Sequence, residues 1–282
     1  MTAPGDTALP SATRVGRVAL RVPDLAEAVA FYREVVGLRV IDRTPSRATL
    51  GAGGDALLVL DAAPDEPERP ADAAGLYHAA FRVPSRSALG DALGRVREQW
   101  TLQGAADHLV SEAVYLADPA GNGVEIYRDR PREEWPRTPD GRPRIGTEPL
   151  DVEGVVAAAA GGTDAPAGTD VGHVHLEVSS LPAARAFYVD ALGFDVVLSA
   201  RGALFVAAGG YHHHVGLNTW RGRTAPAGGR GLAWTEFVLP DADALAAVRR
   251  RTEAAGYAVS PTDAGFVARD DDAIAVRLRA GD

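Results

Sequence analysis

The residues of this chain best suited to chemistry are its seven histidines, His78, His108, His173, His175, His212, His213 and His214. Two others stand with them: Glu125 in the run GNGVEIY, and Tyr115 ten residues before it. Neutral imidazole and carboxylate are nitrogen and oxygen donors for a divalent metal, and imidazole also moves protons near neutral pH. A single strand histidine is more often structural than a ligand, so position has to decide. The chain has no cysteine, which excludes disulfides, thiolate metal sites and a cysteine nucleophile. Its net charge of −9 gives it no broad basic footprint, so nucleic acid is not an expected partner. No apolar run approaches the roughly 18 residues of a membrane span, and the composition fits the cytoplasm.

The elements that must position these residues come from an internal duplication. RVALRVPDLAEAVAFYREVVGLRV (Arg17 to Val40) matches HVHLEVSSLPAARAFYVDALGFDV (His173 to Val196), an offset of 156 residues. The same offset brings Gly53-Gly54 onto Gly209-Gly210 and GLYHAAFRVP (Gly75 to Pro84) onto GLAWTEFVLP (Gly231 to Pro240). Each half divides again. Strand-like starts with period-two alternation recur near Val15, Leu76, Val171 and Leu232. In the best-matched units, an N-cap at Asp24 or Ser180 opens a helix that a C-cap glycine, Gly37 or Gly193, closes. Short strand-like runs follow, His213 to Leu217 among them. The pattern is βαβββ four times over, an α+β fold. The expected organisation is a frayed tail over 1–13, an N-terminal domain of modules one and two over 14–130, a Pro/Gly-rich linker over 131–170, and a C-terminal domain of modules three and four over 171–282. The four-alanine run after Val156 reads as a short helix in that linker, and Arg86, Arg95, Arg97, Glu98 and Arg249 to Arg251 read as solvated helix faces.

VPDLAEAVAFYREVVGL, its copy SSLPAARAFYVDALGF, and DPAGNGVEIY resemble the vicinal-oxygen-chelate (glyoxalase/bleomycin resistance/extradiol dioxygenase) superfamily, most of all its two-domain catechol 2,3-dioxygenase type. The resemblance implies paired βαβββ modules curled into open barrels, with metal ligands on the first and last strands of the modules. The first-strand slot then holds Arg17, His78, His173 and Trp234 in modules one to four. The last-strand slot holds Glu125 in module two and Arg277 in module four, and the offset aligns His214 with Leu58 of module one. Only modules two and three carry ligand types. Sequential pairing would split them into two incomplete sites. Pairing two with three makes one active barrel, leaves modules one and four as a filler, and predicts one metal per chain.

The implied ligand set is His78, His173 and Glu125, a two-histidine, one-carboxylate face for Fe(II), or Mn(II), with open positions for a catechol and dioxygen. The resemblance further implies His214 as the acid–base group, Tyr115 as a hydrogen-bond donor to substrate, and His108 as a looser match to a second family histidine. On an alternating strand His212 and His214 would share the pocket face and His213 would point away. His175 would line the pocket beside His173. The expected activity is extradiol ring cleavage of a small aromatic diol, with a homodimer as one assembly the family allows. A metal-dependent isomerase or epimerase, or a non-catalytic small-molecule binder, are the alternative readings.

Overall fold

The computed structural model describes residues 8–281. Module one comprises β1 (Arg14–Val22), α1 (Leu25–Phe31), β2 (Arg39–Arg43), β3 (Arg47–Ala52) and β4 (Asp55–Ala62). Module two comprises β5 (Gly75–Arg82), α2 (Arg86–Gln99), β6 (Gly104–Asp107), β7 (Ser111–Ala117) and β8 (Gly123–Asp129). A short helix, α3 (Val152–Ala157), lies in the segment between the halves. Module three follows with β9 (Asp170–Glu177), α4 (Leu181–Arg185), β10 (Asp195–Ala200), β11 (Ala203–Ala207) and β12 (Val215–Asn218). Module four closes with β13 (Gly231–Leu239), α5 (Ala242–Ala254), β14 (Val259–Thr262), β15 (Gly265–Arg269) and β16 (Ala275–Ala280). Among the described residues no helix is long and apolar enough to cross a membrane.

The modules pair as the ligand placement requires. One eight-stranded sheet runs β10-β11-β12-β9-β5-β8-β7-β6, built from modules three and two. The other runs β14-β15-β16-β13-β1-β4-β3-β2, built from modules four and one. In each sheet an antiparallel seam joins first strands from opposite halves, β5 with β9 and β1 with β13. The last strand of each module lies parallel to its first, because the intervening helix carries the chain back across one face.

Helices and buried side chains tie the modules in the other direction. Asp24 caps α1 through the Ala26 and Glu27 amides, and Ser180 caps α4 through the Ala183 amide. Both helices end in a wider π-helical turn, Tyr32–Val36 and Ala186–Ala191. That turn aims Tyr32 at Asp118 of module two (3.1 Å) and Tyr188 at Asp270 of module four (3.2 Å). Its free carbonyls are taken by an arginine from the next module's helix. Arg95 donates to Val35 and Val36, and Arg251 donates to Ala191 and Leu192. These two arginines therefore do not belong to a solvated face. Each stands at a helix C-terminus, where a cation satisfies orphan carbonyls. Arg86 likewise turns inward, onto the buried carboxylate of Glu112.

Two further expectations change. Of the 1–13 tail, residues 1–7 lie outside the described residues. Leu9 and Thr13 are buried, and the Leu9 amide donates to the Gly193 carbonyl at 2.8 Å, so this stretch is packed onto module three and is not frayed. The helix between the halves starts before the four-alanine run and ends on its first residue, Ala157, because the Asp151 side chain caps it by accepting from the Gly154 amide.

Because each sheet needs both halves, a fragment ending at residue 130 would expose the inner edges of β1 and β5 together. That fragment expressed alone is expected to aggregate or self-associate, and co-expression with residues 131–282 should restore a one-to-one complex. Gel filtration with circular dichroism checks this. A monomeric half with native-like spectra would refute it.

Candidate functional site

The seam between β5 and β9 assembles the site. Ala80 on β5 faces His173 on β9 and, on its other side, Glu125 on β8. His78 lies two residues earlier on β5 and so shares that face. A methyl group at the centre of this row leaves room for the longer side chains around it to converge. His78 Nε2 is 3.0 Å from Glu125 Oε2, His173 Nε2 is 3.1 Å from the same oxygen, and the two nitrogens are 3.4 Å apart. All three residues are buried. Donors about 2.1 Å from one ion are separated by about 3.0 Å in octahedral and about 3.4 Å in tetrahedral geometry, so the triangle has the size of one face of a metal polyhedron. Among the described residues this is the one His/Asp/Glu group whose donor atoms converge this way.

The protonation states suit a cation. Burial would push the Glu125 carboxyl up, but His173 and His78 beside it outweigh that and hold it well below the usual range. Burial pushes His173 down to about 4, against the opposing pull of Glu125. A carboxylate and a neutral imidazole are the forms that bind metal.

The triangle opens onto a cavity of about 790 Å³ walled by Tyr77, His175, Leu198, Phe205, His213 and Trp220. Tyr115 and His108 stand on another side of it. Tyr115 pairs across the β7–β8 ladder with Glu125, which puts both on one face. The His108 Nδ1–H donates to the Gly146 carbonyl at 2.7 Å, so its Nε2 accepts the Tyr115 hydroxyl at 2.6 Å. Burial, and then the charge of Glu125, raise the Tyr115 pKa, so the phenol stays protonated. The segment between the halves thus supplies part of the wall, through Ile145, Gly146 and Thr147. The Asp107 and Glu148 backbones exchange hydrogen bonds that hold it there. Nothing in its Pro/Gly-rich composition signalled this.

The histidine run departs from strand alternation. Val215 pairs with Val174, whereas Leu58 pairs with Val18, so module three carries one extra residue before its last strand. The counterpart of Glu125 is therefore Gly216, and residues 212–214 precede β12. His214 does not line the cavity. It packs on Tyr211 and Phe194, and its Nδ1 accepts the Ala208 amide at 3.1 Å. His213, expected to point outward, lines the cavity with its ring 4.1 Å from that of His173. His212, expected in the lining, is fully buried behind it. The His212 Nε2–H donates to Asp129 at 2.8 Å, which leaves His212 Nδ1 to accept the His213 Nδ1–H at 2.8 Å. The Nε2 of His213 is then a lone pair. Arg82 and Tyr211 also donate to Asp129, and His212 and Arg82 overcome its burial to keep it below its usual range. His175 lines the cavity as expected, and its buried Nε2 has no protein partner. A Cβ on Gly216 would come within 2.9 Å of the His175 ring, so that ring takes the space a side chain at 216 would need.

The outer sheet has a different filling. Arg17 and Arg279 both pair with Glu236, and Arg277 lies over the Trp234 ring at 4.0 Å. Glu236 occupies the place that Ala80 has in the other sheet.

The comparisons with known proteins agree with this geometry. The family model described as Glyoxalase/Bleomycin resistance protein/Dioxygenase superfamily matches residues 14–126 and 170–271. The chain is 42% identical over 275 residues to the catechol-2,3-dioxygenase of Bacillus subtilis (strain 168), covering 94% of this chain and 96% of that protein. A Bacillus subtilis crystal structure provisionally assigned as a dioxygenase shares the fold, with a TM-score of 0.68 at 14% identity over 97% of this chain and 86% of that one. Glyoxalase I from Zea mays superposes with a TM-score of 0.57 at 18% identity over 95% of this chain and 92% of that one. The chain belongs to the glyoxalase/bleomycin resistance protein/dioxygenase superfamily, and within it is an extradiol-dioxygenase-like oxidoreductase.

Proposed function

We propose that the protein is an Fe(II)-dependent extradiol dioxygenase that opens a catechol ring beside its diol. The observation that carries this reading is the triangle of His78, Glu125 and His173 with one open face toward the cavity. A divalent iron bound there would supply Lewis acidity to a chelating catechol and electron exchange with dioxygen. Mn(II) suits the same donors. An isomerase working through a metal-bound enediolate would want a fourth protein ligand or a carboxylate base, and Gly216 stands where that ligand would come from. The absence of cysteine fits work in a reducing cytoplasm.

The roles of the other residues follow from their hydrogen bonds. His213 takes the acid–base role, in place of His214. Its neutral Nε2 accepts a proton from the substrate hydroxyl, and the chain through His212 to Asp129 fixes its tautomer and steadies the imidazolium that forms. Tyr115 directs its proton to His108, so its oxygen presents a lone pair to the second substrate hydroxyl, and His108 can receive the phenol proton. The unpaired Nε2 of His175 is placed to hydrogen-bond a bound ligand.

Reconstitution with Fe(II) under anaerobic conditions should load one metal per chain. Addition of catechol and air should then consume dioxygen, with both labelled oxygen atoms entering the ring-opened product. Glu125→Ala and His78→Ala should lose both metal and turnover. A filled metal site with no oxygen uptake on any catechol would sink the reading.

The two neighbouring histidines should separate cleanly. His213→Ala is expected to lower kcat by about 10²- to 10⁴-fold with metal retained. His214→Asn keeps an acceptor for the Ala208 amide and should leave kcat within about threefold, whereas His214→Ala should cost about 1–3 kcal/mol of stability. Burial pushes His214 down to about 3 from an unfolded value near 6.5. The unfolded chain therefore binds a proton that the fold refuses, and stability falls as pH drops through about 6.5 toward 3. For this residue the loss is about 2 kcal/mol by pH 5. Urea titrations of the metal-free protein should show that slope, and a flatter one in His214→Asn. Equal loss of kcat in His213→Ala and His214→Asn would overturn the assignment.

A further inference from the structure

The mouth of the cavity is strongly positive in a chain whose net charge is −9. Glu177, at the end of β9, is fully buried. Its oxygens accept from Arg69 at 2.9 Å and from Arg223 at 3.0 and 3.1 Å. Arg221 is a third cation on the same carboxylate. It stands 3.6 Å away, beyond hydrogen-bond distance, and its side chain is 58% exposed. Arg201, in the turn between β10 and β11, is exposed and has no ion pair or hydrogen bond among the described residues. Arg69, Arg201 and Arg221 all line the cavity. Three guanidinium groups thus gather on one carboxylate that two of them already hydrogen-bond, and Arg201 adds a fourth positive charge to the same cavity with no carboxylate of its own. Like charges gathered this way repel, and Arg69 shows it: burial lowers its pKa, and Arg223 and Arg221 lower it further. Two exposed forks stand at the rim without a side-chain hydrogen bond: Arg201 has no partner among the described residues, and Arg221 has only its 3.6 Å ion pair and its place over Tyr77. A guanidinium fork matches a carboxylate with two parallel hydrogen bonds.

An aromatic path leads from the metal triangle to these arginines. The His175 ring lies 5.0 Å from that of His78, and Trp220 lies 5.1 Å from His175. Tyr77 packs edge-on against both His175 and Trp220, and the Arg221 guanidinium lies over the Tyr77 ring at 5.2 Å. Two ring contacts reach at most about 10 Å, enough for a catechol with a short side chain. The walls of this path hold a flat apolar body, and its outer end holds a negative charge. Resting on the catechol reading above, we propose that the preferred substrate is a catechol whose side chain ends in a carboxylate, with the diol at His78, Glu125 and His173 and the carboxylate on Arg201 and Arg221.

The test compares dihydrocaffeate, a catechol with a propionate tail, with ethylcatechol, which has a neutral tail. The iron-loaded enzyme should favour dihydrocaffeate by about tenfold or more in kcat/KM, the worth of one good charge-assisted contact. The double variant Arg201→Ala/Arg221→Ala should raise KM for dihydrocaffeate by about 30-fold and leave ethylcatechol within about twofold. Both side chains are exposed at the rim, so folding is not at stake. Added salt should weaken dihydrocaffeate alone. Anaerobic calorimetry gives a readout free of turnover and should show the same split in Kd. A variant that weakens both compounds equally, or neither, overturns the carboxylate subsite. If neither catechol is turned over with the metal site filled, the dioxygenase reading falls, and the calorimetric split alone decides whether the arginines recognise a carboxylate.

Discussion

The antiparallel seam between β5 and β9 is the constraint on which the chemistry depends. Its register sets His173 opposite Ala80 and His78 opposite His175, while the parallel neighbour β8 places Glu125 beside Ala80 from the other side. A slip of one residue would turn every one of these side chains to the opposite face. Two irregularities interrupt the seam beside these residues, an extra residue in β5 between Leu76 and His78 and one in β9 between Val171 and His173. The strands on either side of the seam come from opposite halves of the chain. The triangle of His78, Glu125 and His173 therefore draws its side chains from both halves of the chain.

Docking is enforced from the other side of the sheets as well. The sheets join module two to three and one to four. The tyrosine–aspartate bonds and the arginine caps on the π-helical turns join one to two and three to four. Each module is thus held by two different neighbours through two different kinds of contact. A buried carboxylate such as Asp118 is costly unless its oxygens are met, and here the Ala120 and Asn122 amides and the Tyr32 hydroxyl meet them. The same arrangement recurs at Asp270, with the Asp272 and Ile274 amides and Tyr188. This polar lattice sits behind the apolar core and leaves the concave faces free for side chains that do other work.

Much of this was legible because the duplication is legible. One offset ties Phe31-Tyr32 to Phe187-Tyr188, and the confinement of ligand types to modules two and three is enough to imply which modules share a sheet. What escaped was local. The offset fails by one residue just before β12, and a one-residue error reverses the face of each histidine in a run of three. That is why His213, and not His214, meets the cavity. Arg95 and Arg251 looked like solvent-facing helix residues because charge alone does not say that a π-helical turn has left carbonyls within reach. Their own equivalence under the 156-residue offset was the signal that pointed to a shared structural task. The contribution of Gly146 to the wall could not be read at all. It depends on a long connection folding back along β6, and composition carries no record of where such a segment lands.

The outer sheet fills the same positions in a different way. At the place of Ala80 it has Glu236, and at the ligand positions it has Arg17, Trp234 and Arg277. A small residue at the centre of the row leaves room for the His78, His173 and Glu125 side chains to converge, whereas a glutamate there brings its own charge and pairs with arginines. Arg17 and Arg279 close on Glu236, and their pull overcomes its partial burial to hold it below the usual range, so the cluster is complete with protein atoms alone. The two sheets therefore differ by a substitution of charge supply. In one, Glu125 meets two histidines beside an open cavity. In the other, Glu236 meets two arginines that close over it.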